Sequence, residues 1–203
     1  MQVGMQLLWQ NYLGQESDRD MVKAETHLAE LTEPLGFDSL WTVEHHFDDY
    51  SICPNPLSFL NWMAARTSRI QLGTGAVILP WHNPLRVAVE AAMLDNLSDG
   101  RLLLGFGRGL ARKEYDTWQL DMNATRQYFN ESAKMIVDAL ETGVAKFDGE
   151  AIKQVPAEIR PRPFKSFKDR IYCVAMSPDS LPIAAEIGAV MMMFSQVPWE
   201  QKV

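Results

Sequence analysis

The chain of 203 residues is 47% hydrophobic and 22% charged, the make-up of a folded domain with a core rather than of a disordered segment. Its net charge of -7 and pI near 5.1 leave no basic excess to neutralise phosphates, which argues against a nucleic-acid or anionic-membrane surface. Met1 to Gly14 has no basic start followed by an apolar run, no window approaches the roughly 20 apolar residues of a membrane span, and two cysteines, Cys53 and Cys173, make no disulfide framework; a cytoplasmic protein with reduced thiols is expected.

Short apolar runs alternate with segments of helical period along nearly the whole chain, the pattern of βα units around a parallel sheet. The first strand is Val3 to Trp9. After Ser17 as N-cap, Met21, Ala24, Leu28, Leu31 and Leu35 recur at helical spacing until Gly36. The second strand runs Asp38 to Val43, and Asn55-Pro56 opens the next helix with a cap and a first-turn proline. Strand three is Ile70 to Leu79, Asn83-Pro84 starts a helix that stops at Asp99-Gly100, and strand four is Arg101 to Phe106. A polar stretch leads to a helix with Phe129, Ala133, Ile136 and Leu140 on one stripe, ended by Gly143. The proline-bearing, charged segment 144–169 is read as an excursion within one domain. Strand five, Ile171 to Ala175, precedes a helix opened by Ser177-Pro178 and ended at Gly188, and strand six is Val190 to Phe194.

Such a series fits a (β/α)8 barrel or a doubly wound open sheet. Polar, reactive residues follow strands two, three, four and five alike, which favours a barrel with its strand C-termini around one site. A closed barrel takes eight strands and typically about 250 residues. The expected architecture is therefore a TIM (β/α)8-type barrel represented incompletely, as one domain over residues 1–203, with further βα units expected beyond Val203.

Candidate chemistry gathers at the strand ends. Glu44-His45-His46 follows strand two and holds half the histidines of the chain beside a carboxylate, a proton-transfer candidate, though two surface imidazoles would look the same. Gly105-Phe106-Gly107-Arg108-Gly109 ends strand four, where missing Cβ atoms would admit a flat ligand or phosphate and Arg108 would supply a charged fork; a tight βα turn fits equally. Ser177 either caps a helix or joins Ser180 and Arg108 in a phosphate site. Gly73-Thr74-Gly75-Ala76 places glycines inside strand three, where a ligand or a neighbouring chain comes close. His82 precedes a helix cap, and His27 lies mid-helix. A metal site is disfavoured, because adjacent histidines in extended chain point to opposite sides.

Gly36-Phe37-Asp38-Ser39-Leu40-Trp41 running into Glu44-His45-His46-Phe47, then Gly73 to Pro80, then Leu94-Asp95-x-Leu97-Ser98-x-Gly100-Arg101 running into Gly105-x-Gly107-Arg108-Gly109, together resemble the bacterial luciferase-like flavin monooxygenases. The resemblance covers nearly the whole chain. It implies a (β/α)8 barrel binding reduced FMN at its C-terminal face, a dimer packed through the second and third helices, and a non-proline cis peptide at Gly75-Ala76 beside the flavin ring. It places Gly75, Ala76, Gly107, Arg108, Leu110, Ser177 and Ser180 on the cofactor. His45 would be the acid/base catalyst, supported by Glu44 and His46, in a reaction where reduced FMN from a separate reductase takes up molecular oxygen as a flavin C4a-peroxide. An aldehyde or another small organic substrate would then be oxygenated. Gly107 replaces the reactive cysteine of true luciferases, so light emission is not implied. A deazaflavin-dependent oxidoreductase is the nearest alternative, and a flavin-binding protein without turnover the next.

Overall fold

A computed structural model of the chain describes residues 1–194. Its elements in order are β1 (Gly4–Leu7), α1 (Asp18–Thr32), β2 (Ser39–Thr42), α2 (Pro56–Ala64), β3 (Gln71–Thr74), β4 (Val77–Ile78), α3 (Pro84–Leu97), β5 (Leu102–Gly107), α4 (Arg112–Trp118), α5 (Thr125–Thr142), β6 (Val144–Asp148), β7 (Lys153–Glu158), β8 (Ile171–Val174), α6 (Leu181–Glu186) and β9 (Val190–Met192). Strands β1-β2-β3-β5-β8-β9 pair in that order, all parallel, with the short β4 also on β5. The described residues form an incomplete barrel sheet with its helices outside, the expected architecture.

Local signals account for most helix starts. Ser17, Asn55 and Asn83 each accept a backbone N–H at the third residue on, from Asp20, Ser58 and Arg86, and Pro56 and Pro84 fill first-turn positions that need no donor. Gly143 ends α5 with φ of 77°, and its N–H bonds the Ala139 carbonyl. Every residue of β5 is buried, as in a strand covered on both faces. A Cβ on Gly105 would lie 2.1 Å from the Thr74 carbonyl oxygen, so only glycine fits that crossing. Thr74 closes it, its hydroxyl donating to the Gly105 carbonyl at 2.9 Å and accepting the Gly105 N–H at 2.7 Å.

Four sequence readings change. The apolar series of α1 is not its inward face: Leu28 and Leu35 are 43% and 70% exposed, while Ala29 and Thr32, small enough to lie close against the sheet, are buried. The strand expected over Ile70 to Leu79 breaks into β3 and β4 around a cis Gly75-Ala76 peptide. Within 144–169 the chain builds the antiparallel hairpin β6–β7, whose first strand follows α5 directly. The polar stretch before α5 contains α4, seven residues too short to register as a period.

Glu33, just past α1, fastens that helix to the start of β3. Its carboxylate accepts backbone N–H bonds from Ser68, Arg69 and Ile70, at 2.8 Å and 2.7 Å for the last two, and the Ser68 hydroxyl at 3.1 Å. Partial burial acts to raise its pKa, but these donors outweigh it and hold the group at about 2. Glu33→Ala is expected to cost about 1–2 kcal/mol, the lower range for charge-assisted bonds because water still reaches the group. The bound form is the anion, so its contribution is present above the ordinary carboxylate value of 4.5 and fades as pH falls toward 2. Urea midpoints of wild type and Glu33→Gln should therefore converge on acidification through that window.

Candidate active site

The C-terminal ends of β2, β3, β5 and β8 surround a cavity of about 420 Å³. Glu44 and His45 reach it from β2, Gly75 and Ala76 from the β3–β4 break, Gly107, Arg108 and Leu110 from β5, and Ser177 and Ser180 from β8. Of the residues expected on the cofactor or in catalysis, His46 does not line it, and neither does His82. Successive side chains of an extended segment point to opposite sides, and here that sends the two imidazoles to different carboxylates.

His46 turns away from the cavity toward Glu44, packed edge-on against Trp81 and Trp118 at 5.2 and 5.4 Å. The buried Glu44 carboxylate meets His46 Nε2 at 3.0 Å and His82 Nε2 at 2.6 Å on Oε1, while Oε2 accepts the Ile78 N–H at 2.8 Å. An ionised carboxylate only accepts, so both imidazoles donate through Nε2. Burial pushes the Glu44 pKa up, but the bonds from His46 and His82, the His82 charge and the Ile78 N–H more than reverse it and leave the acid below its ordinary value. His82 shifts the other way: burial disfavours its charge, and the Glu44 bond and charge outweigh that and raise it. The pair ties β2 to the turn after β4, and the Tyr128 hydroxyl, donating to the His82 carbonyl at 2.7 Å, extends the tie to α5.

His45 takes its partner from α4 instead. Its Nδ1 lies 3.0 Å from Glu114 Oε1, the same oxygen that accepts the His46 backbone N–H at 2.7 Å. Tyr50 stands edge-on to the ring at 5.0 Å. Glu44 contributes no hydrogen bond to His45, so the support expected of Glu44 and His46 reaches the imidazole only through the shared loop.

Two arginines also line the cavity. Arg108 is held by the Met122 carbonyl at 3.0 Å, and Arg126, from α5, reaches the Ser180 hydroxyl at 3.5 Å. Neither pairs with a carboxylate among the described residues. Burial first and then the Arg108 charge lower the Arg126 pKa, with the Asp179 charge acting against them. Ser177 does not cap a helix; its hydroxyl meets that of Ser180 at 3.0 Å, and only a single 3-10 turn, Pro178–Ser180, separates it from the six-residue α6. The glycines answer partly to the protein itself, since a Cβ on Gly107 would lie 2.8 Å from Ile78 Cδ1. Leu110, 81% exposed, sits on the rim.

The family model for luciferase-like monooxygenases matches residues 1–203. The chain belongs to that family. The alkanal monooxygenase alpha chain of Photorhabdus luminescens is 31% identical over 179 residues, 88% of this chain and 49% of that protein. The crystal structure of monooxygenase RslO1 from Streptomyces bottropensis superposes with a TM-score of 0.91 at 32% identity, over 100% of this chain and 62% of that one. The oxygenating constituent of 3,6-diketocamphane monooxygenase from Pseudomonas putida, solved in complex with FMN, shares the fold with a TM-score of 0.76 at 19% identity, over 94% and 57% of the two chains. The chain spans about half the length of the curated relatives it matches.

In this luciferase-like chain two charged cavity residues escape sequence reading. Glu114 lies on the unrecognised α4, and Arg126 heads α5 outside any strand-end motif. Glu114 and Tyr115 are buried on that helix, which lies between Gly109 and Gln119, both at positive φ.

Proposed function

We propose that this chain carries the flavin site of a two-component monooxygenase that takes reduced FMN from a separate reductase and uses molecular oxygen on an aldehyde or another small organic molecule. The observation that carries the reading is the lining of one cavity, which joins two arginines without an ion pair among the described residues and two hydroxyls to the imidazole of His45. That fits a flavin phosphate on Arg108, Arg126, Ser177 and Ser180, with Gly75, Ala76 and Gly107 beside the ring system and Leu110 at the rim. Bound reduced FMN supplies the electrons with which oxygen is activated. The residues do the rest: the arginines orient the cofactor, Val43, Ile78 and Phe129 exclude water, and His45 holds or accepts a proton at Nε2. Glu44, held by His46 and His82, keeps the loop that carries His45 in place. Exposed Trp62, Met93 and Leu97 on α2 and α3 support a dimer through those helices.

The test mixes the protein anaerobically with reduced FMN and then admits oxygen. Oxidised-flavin absorbance is expected to return more slowly than for free reduced FMN. A return at the free rate, with no binding in an anaerobic titration, overturns the reading, and retention of a deazaflavin in place of FMN redirects it to hydride transfer. Arg126→Ala should weaken FMN by about tenfold or more, the loss of one charge-assisted contact, and leave riboflavin affinity unchanged because riboflavin has no phosphate. Fluorescence titration of the two flavins checks this.

A further inference from the structure

We infer that Glu114 is a positioning residue that fixes the His45 imidazole with its proton on Nδ1, so that Nε2 presents a lone pair to the cavity. This rests on the proposed site, with His45 as its acid/base group. Glu44 does not do the work, because its carboxylate bonds His46, His82 and the Ile78 N–H and not the His45 ring. Glu114 has what Glu44 lacks. It is 2% exposed, it lines the cavity, and its Oε1 lies against both His45 Nδ1 and the His46 N–H.

A carboxylate offers only acceptors, so with Oε1 fixed by the His46 N–H, the 3.0 Å contact to the ring is a bond that Nδ1 donates. The hydrogen bond at one ring nitrogen decides which nitrogen carries the proton. Glu114 Oε2 is buried with no hydrogen-bond partner among the described residues. Among the described residues the Glu114 carboxylate bonds the histidine pair. The placement of α4 is secured separately, by the Lys113–Asp48 ion pair at 2.8 Å and by the Tyr115 hydroxyl donating to the Arg108 carbonyl at 2.5 Å. The arrangement is that of a carboxylate–histidine pair, in which the acid orients the ring and favours the imidazolium that forms when the outer nitrogen takes a proton.

The experiment is nitrogen-15 NMR of the labelled full chain, above the pH at which imidazole is neutral. His45 is expected to show its proton on Nδ1 and a bare Nε2, the reverse of the form that free imidazole side chains prefer in water. A proton on Nε2 in the wild-type protein overturns the inference, and this measurement needs no variant. In Glu114→Ala the proton is expected to move to Nε2, while affinity for reduced FMN stays within about twofold, since the Glu114 side chain bonds the histidine pair and not Arg108, Arg126, Ser177 or Ser180. An unmoved proton in that variant also overturns it. Neither readout uses turnover, so a protein that shows the Nδ1 proton yet binds no reduced FMN would sink the functional reading and leave the positioning role standing.

Discussion

Alanine in place of His45 is expected to lower oxygenation of an added alkanal by about 10²–10⁴-fold, the usual contribution of a positioned acid or base, with reduced-FMN affinity nearly unchanged. The separation follows from the bonding, because the groups proposed for the phosphate are Arg108, Arg126 and two serines, none of which bonds the His45 ring among the described residues. Unchanged turnover would show that His45 is a rim imidazole and that proton transfer lies elsewhere. Loss of both turnover and flavin affinity would assign the ring a binding role. Glu44→Gln should act differently: two imidazoles and the Ile78 N–H lean on that carboxylate, so the loop itself is expected to loosen and thermal stability to fall alongside activity.

Asp95→Ala is expected to be the most damaging change away from the cavity. Asp95 is fully buried on α3, and Arg170, at the entrance to β8, faces it with Nη1 2.6 Å from Oδ1 and Nη2 3.4 Å from Oδ2. The Phe164 and Lys165 N–H groups also donate to Oδ2, and Arg170 donates onward to the Gly100, Leu102, Lys165 and Ser166 carbonyls. Removing one partner strands a charge in the interior, which costs about 3–5 kcal/mol and, in a chain of this size, lowers the melting temperature by roughly 10 °C or more. A loss under about 1 kcal/mol would mean that water enters and solvates Arg170. Replacing both residues by apolar ones of similar size should recover part of the loss, because no unpaired charge remains.

These two sites divide the residues by which the family is legible. Asp95, Ser98, Gly100 and Arg101 stand at the N-terminal ends of the strands. There Arg101 donates to the Ala64, Thr67 and Ile70 carbonyls and Arg170 grips Asp95, so that stretch of the motif holds the barrel together. Glu44, His45, Gly107 and Arg108 stand at the opposite end, around the cavity. One linear motif thus mixes scaffold and site, and only its distribution over the two faces of the sheet separates them.

The order of the parallel strands and of every helix but α4, the caps at Ser17, Asn55 and Asn83, and the stripe Phe129, Ala133, Ile136 and Leu140 were legible from local chemistry, since each depends on neighbours within a few residues. So was the gathering of His45, Arg108, Ser177 and Ser180, because parallel strands bring their C-terminal ends to one face whatever lies between. Local pattern could not say which face of α1 is buried, since small residues against a sheet compete with larger ones that stay outside. Nor could it divide the neighbouring carboxylates and histidines. Glu44 sits beside His45 in sequence but serves His46 and His82, while the partner of His45 comes from 69 residues away. Hydrogen bonds form through space, and the alternation of side chains along an extended segment turned sequence neighbours to opposite sides. The sequence by itself determined the fold class and which candidate residues stand at the strand C-termini; tertiary packing decided which acid faces which base.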